Sequence, residues 1–268
     1  MIKPSRWFFP LSAAVLSALT WFPGMAQAQV RVGPMLIQSQ AQRGQAQSVI
    51  QITNLGNEPY RARVYASPFT YDDEGFKVVD ASASDLTPYL LYAPREVLIE
   101  PGQTQQVRLV ARLLPSADAG EYRAVIFTEE LRAAAPTADS TATSATTAQV
   151  RIVPRIGVVM FVRQGDARSA IAATAARVDA ARQTIALSVN NQGNASARAI
   201  TRWALSQNGA SVQSGEVSET TIIAGEQRNI RINYGANGQA LRPGAYVLSG
   251  ELTSGDGTIP FSLNVTIP

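Results

Sequence analysis

Apolar runs with a period of two, each closed by turn-forming residues, leave this chain little choice but sheet. Alternation puts successive side chains on opposite faces of an extended strand, and helical spacing is almost absent. From residue 29 to 163 such runs cover residues 48–54, 60–65, 105–113 and 121–131. Between them, Asp72-Asp73-Glu74-Gly75 reads as a turn, with Thr70-Tyr71 and Phe76-Lys77 as its two arms. Further runs follow at 184–190, 199–206, 211–217, 227–233, 245–252 and 258–267. Many short strands at this spacing predict an all-β sandwich architecture. Trp203 is expected in the core of the second half.

Two segments depart from this rhythm. Residues 132–147 read RAAAPTADSTATSATT, small and polar with no apolar period. They read as a mobile loop; a helix is the alternative, opposed by Pro136 and the threonines. A long strand follows over 150–163. One face carries Val150, Ile152, Pro154, Ile156, Val158, Met160 and Val162; the other carries Arg151, Val153, Arg155, Gly157, Val159, Phe161 and Arg163. Its first half is amphipathic and its second half is apolar on both faces, so it should begin at an exposed edge and end buried. Pro154 agrees with an edge, because proline cannot donate to a ladder.

The two halves share a sparse repeat. Asn54-x-Gly56-Asn57, Pro101-Gly102-Gln103, Val107-Arg108-Leu109 and Gly120-Glu121-Tyr122 reappear as Asn191-x-Gly193-Asn194, Ala224-Gly225-Glu226, Ile230-Arg231-Ile232 and Gly244-Ala245-Tyr246. The Asn-x-Gly-Asn pieces are expected to supply left-handed turns. The Gly-x-Tyr pieces suit a sandwich corner, where a tyrosine hydroxyl satisfies backbone left open by the turn. The expectation is two tandem immunoglobulin-like β-sandwich domains, residues 29–164 and 165–268, after a signal peptide over 1–28. The signal reading rests on Lys3 and Arg6, an apolar stretch to about Met25, and Ala26-Gln27-Ala28 at the cleavage point. An uncleaved anchor is the other reading of that stretch; no later segment is long and apolar enough to span a bilayer. The implied compartment is the periplasm.

Composition narrows the chemistry. The 268 residues contain neither cysteine nor histidine. That removes thiol catalysis, disulfides, serine–histidine relays and nearly all zinc sites. Lysine occurs only at Lys3 and Lys77. Loss of Lys3 and Arg6 with the signal lowers the formal charge from +3 to +1, which is no nucleic-acid-binding balance. Asp72-Asp73-Glu74 could gather oxygens for calcium, but a solvated hairpin turn explains it. Glu129 and Glu130 point to opposite faces of a strand and cannot act as a pair. Arg61, Arg63, Arg108 and Arg112 could form a basic stripe or simply face solvent. No enzyme activity, cofactor or metal is expected.

Several motifs of the first half resemble the N-terminal domain of the periplasmic pilus-assembly chaperones of the chaperone–usher pathway. They are Ile52-Thr53-Asn54 with its turn, Tyr92-Ala93-Pro94-Arg95, residues 99–109 (IEPGQTQQVRL), and Leu114-Pro115 followed by Gly120-Glu121-Tyr122-Arg123. The resemblance covers residues 32–163; the second half looks like a generic immunoglobulin-like or fibronectin-like module. It implies protein partners: pilus or other surface-fibre subunits, and an outer-membrane usher. It also implies a mechanism in which the long strand is lent to an incomplete partner sandwich. Here the lending strand would present Val150, Ile152, Pro154, Ile156 and Val158. The competing reading keeps that apolar face in its own core, as in a secreted structural or adhesive module that donates no strand. The family's usual carboxylate-anchoring lysine and arginine fall at Gly157 and near Gln38. Arg155, Arg43 or Arg31 could substitute, because a guanidinium grips a carboxylate well.

Overall fold

A computed structural model describes residues 30–73, 75–131, 155–235 and 241–268. The expected signal peptide, the loop over 132–147, Glu74, and the candidate strand residues Val150, Ile152 and Pro154 lie outside the described residues. Eighteen strands and one short 3-10 turn, Thr87–Tyr89, make up the regular structure there. No helix among the described residues is long and apolar enough to cross a membrane.

Eleven strands build the first sandwich: β1 (Val30–Gly33), β2 (Leu36–Gln40), β3 (Gln45–Asn54), β4 (Tyr60–Ser67), β5 (Phe69–Asp72), β6 (Gly75–Val78), β7 (Leu90–Ala93), β8 (Glu96–Ile99), β9 (Thr104–Arg112), β10 (Gly120–Glu130) and β11 (Arg155–Gln164). One sheet has the order β1-β3-β9-β7 and faces a second ordered β2-β11-β10-β4-β8, while β5 and β6 pair as a hairpin. The chain changes sheet between β1 and β2. As a result β2 runs parallel to β11, from Leu36 opposite Val159 to Gln40 opposite Arg163. The core between the sheets contains Ile50, Ile52, Val107, Leu109, Ile126, Val158 and Met160.

Seven more strands follow: β12 (Ile171–Asp179), β13 (Thr184–Asn191), β14 (Ala197–Gln207), β15 (Ala210–Ile222), β16 (Gln227–Asn233), β17 (Gly244–Ser254) and β18 (Gly257–Ile267). The sheets β12-β13-β16 and β15-β14-β17-β18 enclose a second core built on Ile185, Leu187, Leu205, Leu248 and Trp203. The all-β expectation and the place of Trp203 both hold. The four candidate stripe arginines do not share a sheet: Arg61 and Arg63 lie on β4, whereas Arg108 and Arg112 lie on β9 in the facing sheet.

The internal repeat is structural, but its asparagines work differently from the expectation. Gly56, Asn57, Gly193 and Asn194 are not in left-handed conformation. Asn54 and Asn191 act through their side chains, each buried beneath its sandwich. The Asn54 amide donates to the carbonyls of Glu58 (2.7 Å) and Ile99 (2.9 Å), and its oxygen accepts from the Gly56 N–H (2.9 Å). The Asn191 amide donates to Ala195 (2.9 Å) and Ile222 (3.1 Å), and its oxygen accepts from Gly193 and Ala170 (both 3.0 Å). The left-handed residues of the repeat are Gly102 (φ 75°) and Gly225 (φ 74°), whose N–H groups donate to the Asn54 and Asn191 carbonyls. The tyrosine corners are also duplicated: Tyr122 donates to the Asp118 carbonyl at 3.3 Å and Tyr246 to that of Arg242 at 2.9 Å.

A third apolar cluster joins the halves. Val125, Phe127 and Phe161 lie on the outer face of the β11 sheet, Phe69 of the hairpin packs with them, and Ile223 of the second half is buried among the four at 1% exposure.

Because each asparagine satisfies several buried backbone groups, truncation leaves them all unpaired. Asn191→Ala should destabilise the protein by about 3 kcal/mol, well above a typical surface substitution, in urea-induced unfolding.

Candidate functional site

The first residues of β11 have a free edge. On one side the strand pairs with β10 from Arg155 opposite Glu129 to Gln164 opposite Gly120. On the other, pairing with β2 begins only at Val159, whose N–H donates to the Met35 carbonyl at 3.0 Å. Among the described residues no strand flanks 155–158 on that side. Main-chain groups alternate in direction along a strand, so Arg155 and Gly157 share the outward direction of Val159. Their peptide groups therefore face the open edge.

The side chains of β11 fall on the two faces read from the alternation. Val158 and Met160 are fully buried in the core of the first sandwich, and Ile156 is half-buried against it. Val158, the last residue of the lending strand as read from sequence, faces its own core, because alternation puts it on the same face as Met160. Of the described plug candidates, Ile156 alone keeps surface to offer.

The three candidate carboxylate anchors lie on different elements. Arg31 lies on β1, paired opposite Thr53 in the other sheet. Arg43 sits in the tight turn before β3 with a left-handed φ of 51°, beside a Gly44 that abuts Leu113 and Gln164. That places it at the Gln164 end of β11, roughly 30 Å along the strand from Arg155. Only Arg155 belongs to the open edge. Its guanidinium stacks on the Phe127 ring, 4.2 Å from the centroid, and donates to the Tyr65 hydroxyl at 3.3 Å. Tyr65 in turn donates to Glu129 at 2.6 Å, and Arg63 donates to the other Glu129 oxygen at 2.9 Å. The Tyr65 hydrogen bond, with help from Arg63, holds the Glu129 carboxyl below its ordinary range.

Position 157, where the resemblance would place a lysine, has little room for a side chain. A Cβ on Gly157 would sit 2.9 Å from Phe127 Cε1 and 2.9 Å from Val125 Cγ2. These two side chains occupy the space that any side chain at 157 would need. Beside them a groove of about 450 Å³ opens between Met35, Phe76, Phe127 and Val159.

A second constellation, missed from sequence, sits in a cleft of about 410 Å³ between the halves. Arg163, at the buried end of β11, donates to Glu121 (3.5 Å), to Asp256 (3.5 Å) and to the Ser196 carbonyl (2.9 Å). Glu121 is nearly inaccessible and accepts from the Ser196 N–H at 3.1 Å. Burial pushes its carboxyl up, and the Ser196 hydrogen bonds offset only part of that. Asp256 accepts from the Ser169 N–H (3.1 Å) and hydroxyl (2.6 Å). Burial opposes its ionisation, but Ser169 and Arg163 outweigh it and hold the carboxyl below its ordinary range. Arg198 pairs with Glu219 and reaches Gln38 at 3.5 Å. The partners in this network are separated by scores of residues, and no local pattern announces them.

The hairpin β5–β6 forms with the arms expected, but its turn is not simply solvated. Asp73 accepts from the Asn229 N–H (3.0 Å) and side-chain amide (2.7 Å). Thr70 donates to Glu226 at 2.9 Å, and Arg228 lies 4.9 Å from the Tyr71 ring centroid. The hairpin thus straps the second half to the first.

No family model matches the chain, and no curated protein matches it in sequence. Solved structures do match. The class 5 fimbriae chaperone CfaA superimposes with a TM-score of 0.51 at 11% identity, covering 87% of this chain and 98% of that one. A chain of the CsuC–CsuE chaperone–tip adhesion subunit pre-assembly complex, from the archaic chaperone-usher Csu pili of Acinetobacter baumannii, gives a TM-score of 0.50 at 14% identity. It covers 88% of this chain and 98% of the other. The chain has the fold of these fimbrial chaperones. The match covers more of the chain than residues 32–163 and so extends into the second sandwich.

Two expectations follow from the site. Gly157→Lys should cost about 1–3 kcal/mol in urea unfolding, with part recovered when Phe127 is also shortened to Leu. Asp256 has a lowered carboxyl, so its contribution is present above the ordinary carboxylate pKa and is lost as pH falls through the lowered one. Asp256→Asn should therefore lower stability by about 1 kcal/mol at neutral pH, and the difference from wild type should shrink by about pH 3.

Proposed function

We propose that this chain is a periplasmic chaperone-like protein, exported by residues 1–28, that binds and stabilises surface-fibre subunits by lending the edge of its last first-sandwich strand. The observation that carries this reading is the open edge of β11 at 155–158, in a chain with the fold of fimbrial chaperones. An unpaired row of peptide groups is a template for another strand, and an exported protein that leaves one open has a use for it or a liability in it. Main-chain hydrogen bonds would supply affinity, and Ile156, continued by Ile152 and Pro154 upstream, would fill the partner's groove. Val158 would not be lent, since it belongs to the host core. Arg155 is the anchor candidate on the edge itself; Arg43, at the other end of β11, is too far from it to share a ligand. The boundary between the two domains falls at 164/165 in this reading, and an outer-membrane usher is the expected second partner. No catalytic role is assigned.

The test is co-expression with a fibre subunit encoded beside this chain, followed by affinity purification from the periplasm. A one-to-one complex should be recovered, and Ile156→Asp should reduce its yield at least tenfold while circular dichroism stays unchanged. Recovery of the chain alone, or an unaffected Ile156→Asp complex, would overturn strand lending.

A further inference from the structure

The outer face beside the open edge has a composition of its own. Met35 is 52% exposed and Phe76 is 43% exposed, both large apolar side chains at the groove next to Gly157. Gly157 contributes no side chain, so the groove reaches the main chain at the edge. Two residues away on the same face stands Arg155, held by Phe127 and Tyr65. Glu129 lies opposite it on β10, but both Glu129 oxygens are engaged by Arg63 and Tyr65, and among the described residues no carboxylate lies within ion-pair distance of Arg155. This corner therefore presents two guanidinium groups to one carboxylate.

From this geometry we infer that the edge selects its partner strand through that strand's outward face: a large apolar side chain opposite Gly157 and an acidic side chain opposite Arg155. Residues directly opposite in a sheet share a face, so both partner side chains emerge above the groove and the cation, while the residue between them points inward beside Ile156. The apolar side chain covers Met35 and Phe76. The acid meets a guanidinium already fixed in place, which lowers the ordering cost of the pair. The occupant is thus an extended segment of a partner protein that runs antiparallel to β11 with the pattern large apolar, apolar, acidic. This inference rests on the edge-pairing reading and adds a specificity to it.

Fluorescein-labelled strand peptides of about 11 residues, centred on Phe-Val-Glu, Phe-Val-Lys or Ala-Val-Glu, test it by anisotropy titration against the full chain. Phe-Val-Glu should bind best, with the lysine peptide about fivefold weaker and the alanine peptide about tenfold weaker. Arg155→Glu should reverse the order of the glutamate and lysine peptides, and Arg155→Gln should make them equal; Arg155 is exposed, so both variants keep the fold. Equal binding of all three peptides, or an order unmoved by Arg155→Glu, overturns the outward-face selectivity and leaves edge pairing standing. Absence of binding by every peptide overturns both.

Discussion

The parallel pairing of β2 with β11 governs what this molecule can offer a partner. It begins at Leu36 opposite Val159, and that single register decides which peptide groups are satisfied within the protein and which are not. Met160, Phe161 and Val162, beyond Val159, are flanked on both sides and buried on both faces. Residues before Val159 keep β10 on one side, and among the described residues no strand pairs with them on the other. The switch of sheet between β1 and β2 is what sets this register, since the chain reaches β11 only after leaving β3. Had β1 continued in its own sheet, the whole of β11 would be an edge, with Val158, Met160 and Val162 less protected.

The same strand ties the two halves together. Its buried end carries Arg163, which gathers Glu121 and the Ser196 carbonyl with Asp256 of the last turn, and its outer face carries Phe161, which packs with Phe69 around Ile223. The hairpin β5–β6 repeats the connection from the other side through Asp73, Thr70 and Tyr71. Polar and apolar contacts therefore meet in one interface. Arg123, buried among these groups, pairs with Glu226 at 3.7 Å, and burial drives its guanidinium below its ordinary pKa while Glu226 and Glu121 counter the shift.

Much of the architecture was legible from alternation. Residues 105–113 and 227–233 read as strands because one face is buried and the other wet, and β9 and β16 occupy those places; residues 121–131 also read as a strand, and β10 there is buried on both faces over most of its length. The duplicated asparagine and tyrosine elements were legible as a repeat, and their side-chain bonds now explain it. What escaped notice lacked a periodic signal. β12, rich in alanine and mostly exposed, shows no apolar alternation, and β7 and β8 are four residues each around Pro94. Glu121, Arg163 and Asp256 come together only in three dimensions. For Val158 the sequence left two readings open, its own core or a partner's groove, because an apolar residue on a strand looks the same whether it faces home or a guest.

Ile223 gives the joint between the halves a practical meaning. It sits on a loop of the second sandwich yet completes an aromatic cluster on the first. A fragment ending after Gln164 would uncover part of Phe69, Phe127 and Phe161 on the same sheet that already presents an unfinished edge. Such a piece would carry two sticky surfaces side by side and would be prone to clump. The second sandwich is therefore a cover as well as a neighbour, and the smallest well-behaved unit of this protein includes both.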